Sequence, residues 1–361
     1  PRLDYSNGSC PSILVELQRT NLLLRSEVFD NSYWNKLNGT ITENDTIAPD
    51  GIMAADLFTK TTSINTVASV IRNAPYSTTG IHTLSVYIKP KVGNLVLLRL
   101  DGGGNSSNSL FNFTTKTFTN TGANVISSSY EELPDGWFRL SLTGNVLNIG
   151  QVIDVCNLFG NPTGDAMWIW GAQLEEGAFA TSYIPTYDTT VTRTNEGLAL
   201  SDLTTNSIVS ATGGTWFVHL LDNIPITKDN STPTDRGLFI ADSSAGTTNS
   251  INIRRLTNGT LKRVEIAKVV GGSTTGNIYT TTSDEVKLVI RYNIGVAGSF
   301  DVFENGVKVI TANAFTADSP LTYVGTRTFP SVSESPFINI KSMALFNTQL
   351  SDAECEALTT L

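Results

Sequence analysis

The chain has 361 residues, with 24 Lys and Arg against 33 Asp and Glu, for a net charge of −9. That length exceeds one ordinary domain and suits two of about 150–180 residues each. An acidic chain with no Lys/Arg stripe repels phosphate, so neither nucleic acid nor an anionic membrane surface is an expected partner, and the charge reads as a solubility device.

Only 16% of residues are charged, while Gly, Ser, Thr and Asn abound between short apolar runs. This is the composition of an all-β protein with many loops. No apolar run approaches the roughly 20 residues that span a bilayer. Cys10, Cys156 and Cys355 are far apart and odd in number, with no Cys-x-x-Cys spacing, which argues against a cysteine zinc site. Cys156 lies in the apolar run VIDVCNLF and reads as a small buried hydrophobe. With no disulfide framework, the chain fits synthesis in a reducing cytoplasm. It starts at Pro1 without Met or a signal-type apolar region, as expected of a fragment or a processed C-terminal part.

In chain order, residues 1–21 read as a lead-in, with a turn-rich stretch at Tyr5 and a short apolar strand Ile13-Leu-Val. The first module is expected over 22–186. Its clearest strand is His82–Lys89, where Leu84, Val86 and Ile88 fall on one face and Thr83, Ser85, Tyr87 and Lys89 on the other. That period of two belongs to a strand covered on one side. Asn94–Leu100, the alternating Phe111 and Phe113, the tight turn Leu133–Trp137 and the runs Gln151–Phe159 and Met167–Leu174 bring the total to about nine strands. Asp101-Gly-Gly-Gly-Asn-Ser-Ser reads as a flexible loop. A Thr-rich linker is expected at 187–195, after Pro185 fixes one backbone dihedral.

The second module is expected over 196–361. Thr215–Leu221 (TWFVHLL) is continuously apolar, as in a sandwich interior. Asn258-Gly and Asn305-Gly each separate two strand-like runs and read as type I′ hairpin tips, since Asn-Gly takes positive φ at low cost. Ser351-Asp-Ala-Glu is a capping box that opens a helix of about two turns, with Cys355 and Leu358 on its inner face.

Three stretches carry a family resemblance. GAQLEEGAFATSYIPT followed by TVTR, at Gly171–Arg193, resembles the end of a jelly-roll, carbohydrate-binding-like module found in many bacteriophage tail and head fibre proteins. CPSILVELQRTNLLLRSEVFDNSYW, at Cys10–Trp34, resembles the opening of that module. INIKSMALFNTQLSDAECEALT, at Ile338–Thr359, resembles the close of a laminin-G-like (concanavalin-type) sandwich. The resemblance implies two β-sandwiches in tandem, a jelly roll and then a concanavalin/laminin-G-like sandwich, with a short C-terminal helix. It further implies a non-enzymatic virion component made in the host bacterial cytoplasm. Such a component is a homo-oligomer, commonly a trimer, that touches other virion proteins and a host-surface glycan or receptor. Two rivals stay open: an accessory module of a secreted or cell-surface polysaccharide-degrading enzyme, and a purely structural virion decoration or spacer.

Candidate chemistry is sparse. His82 and His219 lie in different modules within strand patterns and read as structural or merely exposed. The pairs Glu131-Glu132 and Glu175-Glu176 place neighbours on opposite strand faces, so neither is an acid/base couple. Glu175 reads as a structural hydrogen-bonding residue. The glycine clusters at Gly102 and Gly271 lack a P-loop Lys. No catalytic residue and no required cofactor follow. A structural calcium is compatible with a jelly roll, with Glu27, Asp30, Asp50 and Asp165 as possible donors.

Four aromatics are the candidate ligand contacts: Trp34, Tyr87, Trp168 and Trp170. In a strand Trp168 and Trp170 share one face and Met167 and Ile169 the other. If the aliphatic face is the core, two indoles stand outward as a platform for sugar or for a neighbouring subunit. If the indole face is the core, they are packing residues.

Overall fold

The computed structural model describes residues 2–4, 12–16, 18–63, 66–73, 75–100, 106–150, 152–158, 160, 162–194, 196, 198–221, 236–243, 248–257, 262–283, 285–328 and 338–360. The fold is all-β, with antiparallel sheets and one short C-terminal helix. The chain divides into two compact units, one being Arg19–Arg193 and the other Pro1–Gln18 with Thr194–Leu361.

The first unit is a sandwich of two six-stranded sheets. One sheet has the order Val125–Glu132, Phe138–Val146, Gly80–Val92, Ala166–Glu176, Met53–Lys60, Gly39–Ile47. The other has the order Thr117–Thr121, Ser107–Asn112, Leu95–Leu100, Val152–Asn157, Ser69–Asn73, Asn35–Leu37. The alternating side chains meet between them: Leu84, Val86 and Ile88 from one sheet join Val96, Leu98, Ile153 and Val155 from the other in one core cluster. Cys156 is a buried member of that cluster.

His82–Ile88 is buried on both faces, not on one. The reason is non-local. The residues after Ala166–Glu176 fold back over the outward face, where the Thr83 hydroxyl donates to the Gly177 carbonyl (2.8 Å) and Tyr183 packs against Tyr87 (5.9 Å between ring centroids). Arg139 Nη2 reaches both Ser85 Oγ (3.1 Å) and the Thr181 carbonyl (2.6 Å).

The second unit pairs a seven-stranded sheet with a six-stranded one. The seven-stranded order is Arg2–Asp4, Ser12–Val15, Ile338–Phe346, Gly213–Leu221, Glu285–Asn293, Ser299–Glu304, Val307–Ala314. The six-stranded order is Ala199–Leu200, Tyr323–Thr328, Arg236–Ala241, Ser250–Thr257, Lys262–Val270, Ser273–Thr281. Trp216, Val218 and Leu220 enter the core between them. Phe217 faces the other way, where it packs with Val289, Phe303, Cys355 and Leu358, so TWFVHLL is apolar because the helix covers its second side. Asn305 (φ 47°) and Gly306 (φ 81°) form the hairpin tip expected of Asn-Gly. The Asn258-Gly tip, Cys10 and the loop at 101–105 lie outside the described residues.

The helix Asp352–Thr359 carries its capping box: Glu354 N–H donates to Ser351 Oγ (3.4 Å) and Ser351 N–H to Glu354 Oε2 (2.8 Å). A charged clamp docks it. Arg291 bonds Asp301 and Asp352 (2.6 Å to the latter), and Lys308 lies 3.3 Å from each of the same two carboxylates.

Two segments differ from the sequence reading. The lead-in is divided: Ser12–Val15 pairs with the C-terminal strand, Ile13 opposite Ile340, whereas Arg19–Asn21 belongs to the first unit. The linker is divided too, because Val191–Arg193 pairs with Arg19–Asn21. Both pairings join residues far apart in sequence, and no local pattern announces them. A chain beginning at Arg19 loses strands from the second unit only. Differential calorimetry should show one unfolding transition lowered, by roughly 2–4 °C for each kcal/mol lost in a unit of this size, and the other unmoved.

Candidate functional site

The strand Ala166–Glu176 decides which aromatics are available. Met167 and Ile169 point into the core, and Trp168 and Trp170 point out. At Gly171 the strand takes φ 62° and its register against Gly80–Val92 shifts by a residue, so Ala172 and Leu174 return to the core. A Cβ at Gly171 would come within 2.8 Å of the Tyr87 ring, so both the positive φ and the close approach call for glycine.

Beyond the bulge, outward-pointing polar side chains anchor the returning chain. Gln173 Oε1 accepts from Ile184 N–H (2.6 Å), and Glu175 accepts from the Thr181 N–H (3.0 Å) and hydroxyl. Glu175 is thus the structural hydrogen-bonding residue read from the sequence. Asn21 is wholly buried; its amide donates to the Ile184 (2.9 Å) and Ala172 (3.3 Å) carbonyls, and its oxygen accepts from Leu23 (3.1 Å) and Leu174 (3.2 Å).

This fold-back separates the four candidate aromatics. Trp34 is 1% exposed in the core, with its indole N–H on the Arg25 carbonyl (2.9 Å), and offers no face to a ligand. Tyr87 and Trp170 lie on the outward face under Tyr183, whose ring centroid is 4.7 Å from that of Trp170. Both are buried. Trp168 alone of the four is not buried, and it lies beside Lys89, Lys91 and Asp45. The aliphatic face is the core, both indoles stand outward, and Trp170 is nonetheless a packing residue.

A second surface lies on the other sheet of this unit, and no motif marked it. Cross-strand partners share a face, and one unbroken row runs Asn35, Ile71, Asp154, Arg99, Asn108, Thr121 across all six strands. Except for Asp154, every member is half-buried or exposed. Asp154 Oδ1 accepts from Arg99 Nη2 (3.1 Å) and Oδ2 from Asn157 (2.6 Å). Burial pushes its carboxyl up, against the pull of Arg99. The next row, Leu97, Leu110, Thr119, is apolar and half-buried at its two leucines. At one end Asn35, Leu37, Ile71, Asn73, Arg99 and Val152 line a depression of about 360 Å³. Amides and a guanidinium beside short apolar strips suit a polyhydroxylated ring, which offers hydroxyls at its edge and C–H groups on its faces.

Of the possible calcium donors, Glu27 and Asp50 accept hydrogen bonds through their carboxylates. Glu27 lies 2.8 and 2.9 Å from the hydroxyls of Tyr183 and Tyr187, and Asp50 accepts from the Ile52 N–H (2.9 Å). The Asp30 carbonyl accepts from Lys36 Nζ (2.7 Å), and Asp165 is buried. Among the described residues no three His, Cys, Asp or Glu side chains gather as a metal group. The buried Lys60 donates from Nζ to the Thr66 (2.7 Å) and Leu158 (3.0 Å) carbonyls. The histidines belong to different units. His82 is buried against Tyr76, with Nδ1–H on the Gly80 carbonyl (3.1 Å), and His219 pairs with Glu285 (2.7 Å).

No family model matches the chain, and no curated protein does. Among solved structures, the chain is similar to CG-16, a homodimeric agglutinin from chicken liver, and to a tetrameric galectin from the ball sponge Cinachyrella sp.. Each is 14% identical, with 42% of this chain and 99% of the other covered and a TM-score of 0.25. The all-β architecture rests on the strand pairing described above.

Two buried groups give the first unit opposed pH dependences. Burial pushes the Asp56 carboxyl up to about 6, reinforced by Asp30 and Glu43 and opposed by its bonds from Phe29 and Asn44 N–H. The folded chain therefore keeps a proton that the unfolded chain releases near pH 4, and the stabilisation from Asp56 falls as pH rises from about 4 to about 6. Burial pushes the His82 imidazole down, so its contribution is complete above about pH 6.5 and is lost on acidification. In thermal melts across pH 4–7, Asp56→Asn should remove a downward slope and His82→Gln an upward one. By packing, Trp34→Ala should cost about 3–5 kcal/mol and Trp168→Ala clearly less, read as midpoints in urea.

Proposed function

We propose that this chain is a non-enzymatic binding component whose first sandwich displays an open, hydrogen-bonding sheet face to a glycan. The observation that supports this reading most is the row from Asn35 to Thr121 with its depression beside Arg99. Arg99 serves the fold by compensating buried Asp154, whereas Asn35, Asn73 and Thr121 on this outward face are exposed and pack nothing in the core. A folded protein leaves such a face open at little cost and can use it to hold a neutral sugar by edge hydrogen bonds and face contacts.

The wider setting is the one that the signature stretches imply. On this reading the chain is part of a bacteriophage fibre or appendage, made in the host cytoplasm and carried on the virion. It assembles as a homo-oligomer of trimer type, contacts other virion proteins and meets the host envelope through a surface polysaccharide or receptor. The buried amides that anchor the fold-back support the jelly-roll part of the reading, because they give Gly171, Gln173, Glu175 and Thr181 of the signature a reason to occur together.

Glycan-array binding by the whole chain tests the proposal. Asn35 and Asn73 are exposed, and their replacement should spare the fold. The double variant Asn35→Ala/Asn73→Ala should melt within about a degree of the parent and bind its glycans at least tenfold more weakly, the ~1.4 kcal/mol of one or two lost hydrogen bonds. Binding unchanged by the double substitution contradicts the assignment of this face. Release of reducing ends from the bound polysaccharide contradicts the non-enzymatic reading.

A further inference from the structure

On the opposite sheet of the same unit, Trp168 packs beside Trp170 and is held at its outer edge in a polar frame. Its indole N–H donates to Asp45 Oδ2 (2.7 Å), which fixes the ring from the strand Gly39–Ile47. Lys89 and Lys91 place their ammonium groups 5.4 and 4.9 Å from the indole centroid. Lys91 also pairs with Asp45 (3.1 Å). Two ammonium groups and one carboxylate thus surround a half-buried indole, which leaves one positive charge in excess on a chain whose net charge is −9.

The geometry points to a second binding site at Trp168, Lys89 and Lys91 that takes a carboxylated sugar ring. The apolar face of a pyranose stacks on the exposed part of the indole. Its carboxylate bridges the two ammonium groups, which already lean on the ring and lose little freedom in closing on an anion. A neutral sugar satisfies the indole and leaves the ammonium groups to be desolvated without compensation; a bare phosphate satisfies them and wastes the indole. Asp45 sets the edge of the site and, by repulsion, the side from which the carboxylate enters. The neighbouring Trp170 and Tyr87 do not extend the platform, since Tyr183 covers them. This proposal rests on the glycan-display reading and names a ligand class for a different face.

Affinity electrophoresis of the whole chain through gels containing polygalacturonate, polysialic acid or dextran tests it. At least one acidic polymer should retard the parent chain, dextran should do so less at this face, and about 0.5 M salt should weaken the acidic interaction severalfold. Lys89→Gln/Lys91→Gln should lower affinity for the acidic polymer at least tenfold with the melting temperature unchanged, and Trp168→Ala should lower it as far with a small drop in melting temperature. Asn35→Ala/Asn73→Ala on the other sheet should leave it intact, so this site and the glycan reading can fail separately. Retardation by neither acidic polymer, or retardation that survives the double lysine substitution, overturns the proposal.

Discussion

The first sandwich depends on two buried amides, Asn21 and Gln173. Neither sits in the core. Both hold backbone from segments that would otherwise part: Asn21 bonds Ile184 and Ala172 carbonyls and accepts from Leu23 and Leu174, and Gln173 accepts from Ile184 N–H. A buried amide with its groups matched contributes modestly, but one left with unmatched partners costs about 1–3 kcal/mol per group. Such a pair therefore specifies one arrangement more than it adds stability. With Ile184 held, Tyr183 is pressed onto Trp170 and the outward face of one sheet closes. Of the four candidate aromatics, Trp168 alone stays open there.

The two sheets of this unit consequently have different roles. One is covered at its centre by its own connector and keeps a small charged aromatic site at one side. The other is bare and carries a polar row whose charged members compensate each other, Arg99 against buried Asp154. Removing Arg99 would strand a buried carboxylate, so that pair constrains the face as well as decorating it. In the second unit a covering also decides the reading. The helix Asp352–Thr359 seals Phe217 and Phe303 behind the clamp of Arg291, Asp301, Lys308 and Asp352.

What was legible in the sequence is what local physics dictates. Leu84, Val86 and Ile88 alternate because one face is core. Asn305-Gly306 turns because both residues take positive φ. Ser351 and Glu354 cap each other within one turn. The outward burial of Tyr87 was not legible, because its cover arrives from residue 183. The pairing of Ser12–Val15 with Ile338–Phe346 was equally hidden, since nothing in four residues names a partner at the other end of the chain. The Arg99 face stayed invisible for the same reason: Asn35, Asp154 and Asn108 are unremarkable singly and become a surface only when register aligns them. Trp34, a candidate ligand contact by sequence, is a core residue, which its place beside Phe29 and Tyr33 explains better than its own identity.

The central claim is that ligand contact falls on the bare sheet of the first sandwich. Amide hydrogen exchange on the whole chain, with and without a saturating neutral glycan, addresses it directly. The account predicts added protection confined to the strands Asn35–Leu37, Ser69–Asn73, Val152–Asn157 and Leu95–Leu100 and their turns. Protection that appears in the second unit, or along Gln173–Tyr183, would contradict it.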